Sequence, residues 1–205
     1  DGRSYYPVFP YVSFGAMTEN DVLALYTFLK SQSVVENVVP EHRPKGLARL
    51  SWSVSLWRRL YVDEKRAPVH KQQVDSNQVL SDGQYLVDAV LHCGQCHTSR
   101  NRLGATMENA YLRGAVLANG HIAPNLRPST DGLLLWEIYD IQRYLRTGKS
   151  EWGQNAADEM RDYIDTVSRH LSERDSLLVA RYLLNLPSAG DYPPCRVHGP
   201  RSVRC

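Results

Sequence analysis

The sequence lacks a long apolar run, an excess of either charge and a spaced set of cysteines. No stretch approaches the roughly 18 apolar residues that a membrane span needs, and the start, Asp1-Gly2-Arg3, has no signal-peptide pattern. Lysine plus arginine number 24 against 22 aspartates and glutamates, which argues against a nucleic-acid binder held by charge. The 4 cysteines are too few and too clustered for a disulfide framework in 205 residues.

Two of the cysteines belong to the pentapeptide Cys93-Gly94-Gln95-Cys96-His97. Cysteines three positions apart at a helix end share one face, so both thiols can reach the two vinyl groups of one porphyrin, and the adjoining histidine then lies under the iron. A thioredoxin-like dithiol would require a βαβ context, and zinc would require a second close Cys/His pair. The sequence has neither, so the motif predicts one covalent haem c bound through Cys93 and Cys96, with His97 as an iron ligand.

The iron of such a haem needs a sixth ligand, and a methionine thioether would raise its potential into the range useful for electron transfer. Among the three methionines, Met17 lies far upstream and Met107 follows the motif too closely to cross to the other haem face. Met160 has enough chain before it and is the predicted ligand, with core packing as its alternative. His121 and His170 remain weaker candidates for bis-histidine ligation.

Three other residues are predicted to support the haem. A ligating histidine usually donates its second ring N–H to a fixed acceptor, and Pro124 offers a free carbonyl on a rigid backbone. Trp136 and Arg100 are candidate partners for the haem propionates, although Trp136 would serve equally well in a core.

The helical period and its start signals predict an all-α fold. The predicted helices are one opened by Thr18, one opened by Ser81 that covers Gln84 to His92, one from Trp136 to Arg146 behind Asp131-Gly132 and capped by Gly148, and one opened by Ser172 and ended by Pro187. We also expect the helix before Cys93 to cross the last helix near Gly83 and Tyr182, because glycine lets two backbones approach closely.

Residues 78–187 resemble the class I cytochrome c domains of multi-haem cytochrome c subunits of dehydrogenases. The residues that carry the resemblance are Tyr85-Leu86-Val87, His92 to Thr98, Arg100-Asn101, Leu103-Gly104-Ala105, Ala123-Pro124-Asn125-Leu126, Trp136, Asp140-Ile141, Tyr144 to Gly148, Met160, Leu171-Ser172, Asp175 and Tyr182-Leu183. The resemblance implies a class I cytochrome c fold, with His97 and Met160 as axial ligands and Pro124 as the acceptor for His97.

The resemblance also implies a role. Such subunits are not themselves enzymes; they take electrons from a dehydrogenase large subunit that oxidises alcohols, sugars, sugar acids or aldehydes, or from a molybdenum hydroxylase. They pass these electrons to quinone or a terminal oxidase. This implies a periplasmic protein, on the periplasmic face of the inner membrane where its complex associates with that membrane, and no nucleic-acid partner.

A repeated sequence pattern within the chain bears on the domain organisation. The pattern from Thr18 to Leu29 returns from Ser172 to Leu183, although any two capped amphipathic helices share such a pattern. Residues 1–33 also resemble the end of a preceding cytochrome c-like domain, with Phe9 where several relatives carry a methionine. We therefore expect a partial domain at 1–33, a connector with one short helix at 34–77, the haem domain at 78–187 and an irregular tail at 188–205.

Two other functions stay open at this point. A haem-based sensor or peroxidase-like protein would leave the sixth iron site open, with Met160 unbound. A haem-free structural chain would keep Cys93 and Cys96 as thiols.

Overall fold

The fold is mostly helical, as predicted. A computed structural model describes residues 5–6, 9–38, 40, 43, 46–62, 78–188, 196–197 and 203–204. The α-helices in this part of the chain are α1 (Tyr11–Phe14), α2 (Glu19–Ser31), α3 (Ser51–Tyr61), α4 (Gln78–Tyr85), α5 (Gly94–His97), α6 (Ile138–Thr147), α7 (Asp158–Thr166) and α8 (Glu173–Asn185). Shorter turns of helix are π-helical at Leu86–Val90 and 3-10 at Gly46–Arg49, Glu108–Ala110 and Ser168–His170. The strands are β1 (Ala115–Val116), β2 (Ile122–Ala123), β3 (Arg196–Val197) and β4 (Val203–Arg204), paired antiparallel as β1 with β2 and β3 with β4.

Two helix starts agree with their predicted caps. The hydroxyl of Thr18 accepts a hydrogen bond from the backbone N–H of Asp21 at the start of α2, at 3.2 Å. Ser172 does the same for Asp175 at the start of α8, at 3.0 Å. Each side chain satisfies one N–H that the first helical turn leaves without a partner, so the equivalent signals produce equivalent helix starts.

Two predicted boundaries are wrong. The helix assigned to Ser81 already includes Gln78, so Ser81 lies inside α4 and does not open it. The helix predicted to start at Trp136 begins two residues later, because Glu137 and Asp140 form a reciprocal capping box. Its predicted end is correct, since Gly148 adopts φ +72° and closes α6.

The core lies where α4 and the following π-turn pack against α8 and α6. A Cβ added to Gly83 would lie 2.3 Å from the carbonyl oxygen of Leu178 and 2.8 Å from Cβ of Tyr182. The expected crossing at Gly83 and Tyr182 is therefore confirmed. The fully buried cluster around it comprises Val87, Leu91, Leu112, Leu133, Ile141, Val179, Ala180, Tyr182, Leu183 and Leu186.

Some elements were not predicted. Helix α7 follows Ala157, whose side chain makes no capping hydrogen bond, so the sequence carried no start signal for it. The two-residue strands β3 and β4 lie in the segment predicted as an irregular tail. Cys195, Cys205 and residues 63–77 of the predicted connector lie outside the described residues.

The segments upstream of residue 78 contact the helices around the cysteine motif. The hydroxyl of Tyr85 accepts a hydrogen bond from the backbone N–H of Thr18 at 3.1 Å and donates one to the carboxylate of Asp21. The indole N–H of Trp57 on α3 donates to the carbonyl of Leu103 at 2.7 Å. Among the described residues, no helix is both long enough and apolar enough to cross a membrane.

Candidate functional site

The cysteine motif forms a single helical turn that follows a change of helical register. The N–H of Leu91 bonds to the carbonyl of Leu86 at 2.8 Å, a π-type spacing, and His92 then adopts φ +42°. Within the motif the N–H of His97 reaches the carbonyl of Cys93 at 3.0 Å. The break in register before Cys93 lets the motif leave the axis of α4, and π-turns of this kind are frequent at functional sites.

His97 is buried and held by one specific hydrogen bond. Its Nδ1 lies 2.8 Å from the carbonyl oxygen of Pro124. A carbonyl can only accept, so Nδ1 carries the proton and Nε2 keeps its lone pair. Burial lowers the pKa of His97, against the opposing effect of the Pro124 hydrogen bond. The imidazole is therefore neutral at neutral pH and presents one nitrogen suited to a metal.

A short strand pair fixes the acceptor for His97. Ala115 of β1 pairs with Ala123 of β2, and Pro124 follows β2 directly. Gly114 sits between the two sides: its N–H donates to the carbonyl of His97 at 2.9 Å, and its φ is +90°. A Cβ there would lie 2.9 Å from the carbonyl oxygen of Ala123, so only glycine fits without displacing this backbone.

The thiols do not have the properties of a redox dithiol or a zinc site. Burial raises the pKa of Cys93 to about 12, with a smaller contribution from the charge of Asp88. A reactive dithiol instead needs a thiol whose pKa is lowered. Among the described residues, neither cysteine belongs to a group of three or more side chains that could hold a metal ion. Covalent attachment to a porphyrin needs no thiolate cluster and fits the pair better.

Helix α7 carries Met160 and contacts the segment before the motif through Tyr163. Met160 is half-buried, and Tyr163, one turn later, donates its hydroxyl to the carbonyl of Leu91 at 3.1 Å. The ring of Tyr163 also lies 6.5 Å from the imidazole of His92, centroid to centroid. Residues three apart share a helix face, so Met160 lies on the face that Tyr163 turns toward the cysteine motif.

The two predicted propionate partners differ in their surroundings. The indole of Trp136 packs edge-on against the rings of Tyr144 and Trp152, both 5.5 Å away, and its N–H makes no hydrogen bond within the described chain. The guanidinium of Arg100 is already engaged by the carbonyl of Gly104 at 2.8 Å and the side-chain oxygen of Gln95 at 2.7 Å. Trp136 thus keeps a donor for a ligand, whereas Arg100 clamps its own loop to the motif helix.

The two histidines considered as other iron ligands lie on the surface. His121 is exposed, and its Nδ1 lies 3.0 Å from a carboxylate oxygen of Glu159 and 3.6 Å from one of Asp158. This contact joins the loop before Pro124 to the start of α7. His170 is exposed on the 3-10 turn before α8. Neither surface position favours bis-histidine ligation.

The upstream segment forms a chain of aromatic rings that ends at the motif. Phe9 stacks on Tyr5 with centroids 4.7 Å apart, and it contacts Phe14 at 5.4 Å. Phe14 in turn meets the imidazole of His92 edge-on at 6.1 Å. Phe9 therefore packs within its own segment, and this segment contacts His92, the residue that precedes Cys93.

Sequence reasoning missed Tyr163 and the contact between His121 and Glu159. Tyr163 had one usable signal, its position three residues after Met160 on what proved to be a helix. The contact between His121 and Glu159 had no signal in the sequence, because the two residues are 38 positions apart and both are exposed.

Together these residues fit a covalently attached haem. They supply two thiols, a neutral imidazole with an unprotonated Nε2, a methionine on α7 and an indole N–H without a partner in the described chain.

Comparison with known proteins finds cytochrome subunits of dehydrogenases among the relatives. No protein-family model matches the chain. It is 30% identical over 198 residues to the cytochrome c subunit of alcohol dehydrogenase (quinone) from Gluconobacter oxydans, covering 92% of this chain and 40% of that subunit. It is 30% identical over 196 residues to the fructose dehydrogenase cytochrome subunit of Gluconobacter japonicus, covering 93% and 39%. The gluconate 2-dehydrogenase cytochrome c subunit of Pantoea cypripedii is 31% identical over 195 residues, covering 91% and 44%.

The chain thus spans about two fifths of the length of these curated relatives, and the match takes in more than nine tenths of its own length. The matched stretch is long enough to include both the cysteine motif and the segments upstream of residue 78. We conclude that the chain is a homologue of the cytochrome c subunits of alcohol, fructose and gluconate dehydrogenases.

Proposed function

We propose that this protein transfers single electrons through one covalently bound haem c and is not itself a catalytic enzyme. The observation that carries the proposal is the 2.8 Å contact between Nδ1 of His97 and the carbonyl of Pro124. It leaves Nε2 as the unprotonated nitrogen, directly beside two cysteines at the spacing of a haem attachment motif. The single haem follows from the one Cys-x-x-Cys-His motif in the sequence.

The proposed roles divide among the residues already described. Cys93 and Cys96 would hold the haem through their sulfurs, His97 and Met160 would ligate the iron, and Trp136 and Arg100 would be the partners of the propionates. When bound, the haem supplies the one-electron redox chemistry. Pro124 holds the imidazole in one orientation, and Cys93 packs partly buried against the core. The protein therefore sets ligation, burial and access.

The partner and the location follow by homology. We assign the protein to a dehydrogenase complex, in which a large subunit oxidises the substrate and this chain passes the electrons to quinone or a terminal oxidase. We place this complex in the periplasm, at the inner membrane. A net charge of +2 suits docking on a protein more than electrostatic capture of nucleic acid.

We further propose that residues 78–187 are the haem domain and residues 1–33 the end of a preceding cytochrome c-like domain, joined by 34–77. The exposure of α2 supports this division, since none of its residues is buried. Its large exposed apolar side chains are Val22, Leu23, Leu25, Tyr26, Phe28 and Leu29. The matching residues of α8 include buried ones that pack on α4, so α2 has the apolar face of such a helix without its counterpart among the described residues.

The test is expression with a cytochrome c maturation system, followed by a pyridine haemochrome assay and intact-mass measurement. We expect one covalent haem per chain, lost when Cys93 and Cys96 are both replaced by alanine. Protein that matures without covalent haem would contradict the proposal and favour a haem-free structural role.

Methionine ligation is tested separately with carbon monoxide. The reduced wild-type protein should bind it slowly or not at all, because a sixth ligand blocks the iron. Met160→Ala should bind it rapidly, whereas Met107→Ala, also half-buried, should behave as wild type. Rapid binding by the wild type would instead indicate the open site of a sensor or peroxidase-like protein.

A further inference from the structure

Asp88 is a partly buried carboxylate on the π-turn that leads into the cysteine motif. It accepts hydrogen bonds from the hydroxyl of Tyr111 and from the side-chain amide of Gln84, the latter at 3.4 Å. The hydroxyl of Tyr111 also lies 3.3 Å from that of Tyr182. The carboxylate is thus enclosed by its own helix, by the segment at Tyr111 and by α8.

The groups that face Asp88 do not neutralise it. Gln84 faces Asp88 from the preceding helical turn, and Tyr111 and Tyr182 face it from the other packed elements. On the side of the motif lies Cys93, and the charge of Asp88 opposes the ionisation of its thiol. No lysine, arginine or histidine in the described ranges forms an ion pair with it.

Arg127, which contacts Tyr111, is held by other groups. Nε of Arg127 donates to the carbonyl of Tyr111 at 2.8 Å, and Nη1 donates to that of Pro187 at 3.2 Å. Its guanidinium lies 5.8 Å from the centroid of the Tyr111 ring. Within the described ranges, the negative charge on Asp88 therefore has no cationic partner.

This environment makes the carboxylate titratable near neutral pH. Burial raises the pKa of Asp88 to about 6, against the lowering effect of the hydrogen bonds from Tyr111 and Gln84. The field of the carboxylate reaches the sulfur of Cys93, where it contributes to the raised pKa of that thiol. In the proposed function this sulfur carries the haem.

We propose that Asp88 is a redox-linked proton-binding site of this protein. The inference rests on the proposed function, because it needs haem attached at Cys93. An ionised Asp88 stabilises the ferric state, which carries one more positive charge than the ferrous state, and so lowers the reduction potential. On reduction the iron accepts one electron from the donor and Asp88 binds one proton from water; on oxidation both leave.

The test is a potentiometric titration of the haem-loaded protein from about pH 5 to about pH 8. The wild-type potential should fall as the pH rises through this range. The proton affinities of Asp88 in the two redox states should differ on the order of tenfold, which corresponds to about 59 mV for one electron.

Asp88→Asn keeps the shape and an acceptor for Tyr111, and Gln84 can turn its amide to present oxygen. The reduction potential of Asp88→Asn should not depend on pH. It should equal the wild-type potential at low pH and exceed the wild-type potential at high pH. Asp82→Asn removes a more exposed carboxylate from the same helix, so it should retain the wild-type pH dependence.

A second variant tests the direction of the effect. Tyr111→Phe removes a hydrogen bond that favours the ionised carboxylate, so the fall in potential should move to higher pH. A redox difference infrared spectrum near the midpoint should show a carboxylic acid band on reduction that Asp88→Asn lacks.

Two outcomes separate this inference from the proposed function. Absence of covalent haem in the pyridine assay would remove the proposed function itself. Covalent haem with a potential that does not depend on pH, or with the same dependence in Asp88→Asn, would overturn only the role of Asp88.

Discussion

At the scale of single residues, the surroundings of His97 decide which of its nitrogens can bind a metal. A histidine in water exchanges between two neutral tautomers and titrates near its ordinary pKa of about 6.5. Burial lowers the pKa of His97, and the carbonyl of Pro124 fixes the proton on Nδ1. A side chain that is ambiguous in the sequence thus presents one unprotonated nitrogen in one orientation.

Gly114→Ala should weaken this arrangement more than the same change elsewhere. The new Cβ would lie 2.9 Å from the carbonyl oxygen of Ala123 and adopt a left-handed backbone, so we expect a loss of about 3 kcal/mol in the free energy of unfolding. Gly120 is also left-handed, at φ +91°, but a Cβ there meets nothing within 4 Å. Gly120→Ala should therefore cost only about 1 kcal/mol.

Urea unfolding of both haem-loaded variants would give these values, and the fraction of protein with covalent haem would show whether His97 is still placed. Equal losses for the two substitutions would mean that the strand pair tolerates the added methyl group.

At the scale of elements, the site depends on how helices are held against each other. Helices α4 and α8 cross closely at Gly83, which lies against the backbone of Leu178 and Cβ of Tyr182. This contact sets the position of the π-turn and of the motif that follows. Helix α7 is attached from the other side, through Tyr163 at Leu91 and through Glu159 at His121. The proposed ligands His97 and Met160 therefore depend on separate packing contacts.

Gly83→Ala should disrupt the crossing of α4 and α8. The added Cβ would be only 2.3 Å from the backbone of Leu178, so the helices must separate, at an expected cost of about 3 kcal/mol or more. Asp82→Ala on the adjacent, more exposed position loses a surface ion pair with Arg174 and should cost under about 1 kcal/mol. Thermal or urea unfolding with both variants side by side gives the comparison; a stable Gly83→Ala protein would argue against a close crossing in solution.

The contact between His121 and Glu159 should make the attachment of α7 depend on pH. The hydrogen bond that His121 donates to Glu159 raises the pKa of His121, so the stabilisation from His121 is complete below the ordinary histidine pKa and disappears as the pH rises through the raised value. The pKa of Glu159 is lowered, chiefly by the same bond, so its share disappears as the pH falls through that lowered value.

Stability measured in urea should therefore be highest between the ordinary pKa values of glutamate and histidine and fall on either side of that range in the wild type, and both falls should be smaller in Glu159→Gln. Asp162→Asn, an exposed change on the same helix, is the control and should follow the wild type. An unchanged pH profile in Glu159→Gln would show that the contact does not hold α7 in solution.

At the scale of the whole molecule, the main buried cluster lies within one part of the described chain. Its members run from Val87 to Leu186, and only Ala16 and Val54 are buried apolar residues in the described segments upstream. Those segments attach through Tyr85, Gln95, the carbonyl that Trp57 contacts and the ring contact between Phe14 and His92. These are mostly hydrogen bonds to exposed or partly buried groups. The haem domain should therefore keep its fold without them.

The fragment of residues 78–187 should bind one covalent haem and show nearly the same reduction potential as the full chain. Circular dichroism and the pyridine haemochrome assay would check this. In the full chain, Trp57→Ala should loosen the upstream helix without loss of haem. A fragment that matures without haem would show that the upstream contacts are part of the domain, and the proposed boundary at 78 would be wrong.

Local patterns account for what was predictable here. The hydroxyl caps at Thr18 and Ser172 and the stop at Gly148 are each read from a few neighbouring residues, and they are correct. The start of α7 was missed because Ala157 offers no cap. The start assigned to Ser81 was wrong, since a serine within a helix looks the same in sequence as a serine before one.

The sequence alone determined that two thiols and an imidazole lie side by side, because two cysteines and a histidine at that spacing are adjacent in any fold that makes them a helical turn. The tertiary structure decided the rest of the site. It placed Pro124 against His97 across 27 positions, enclosed Asp88 between Tyr111 and Tyr182, and turned Tyr163 toward the motif. These contacts join residues far apart in the chain, and their geometry depends on how whole helices pack, which no local pattern encodes.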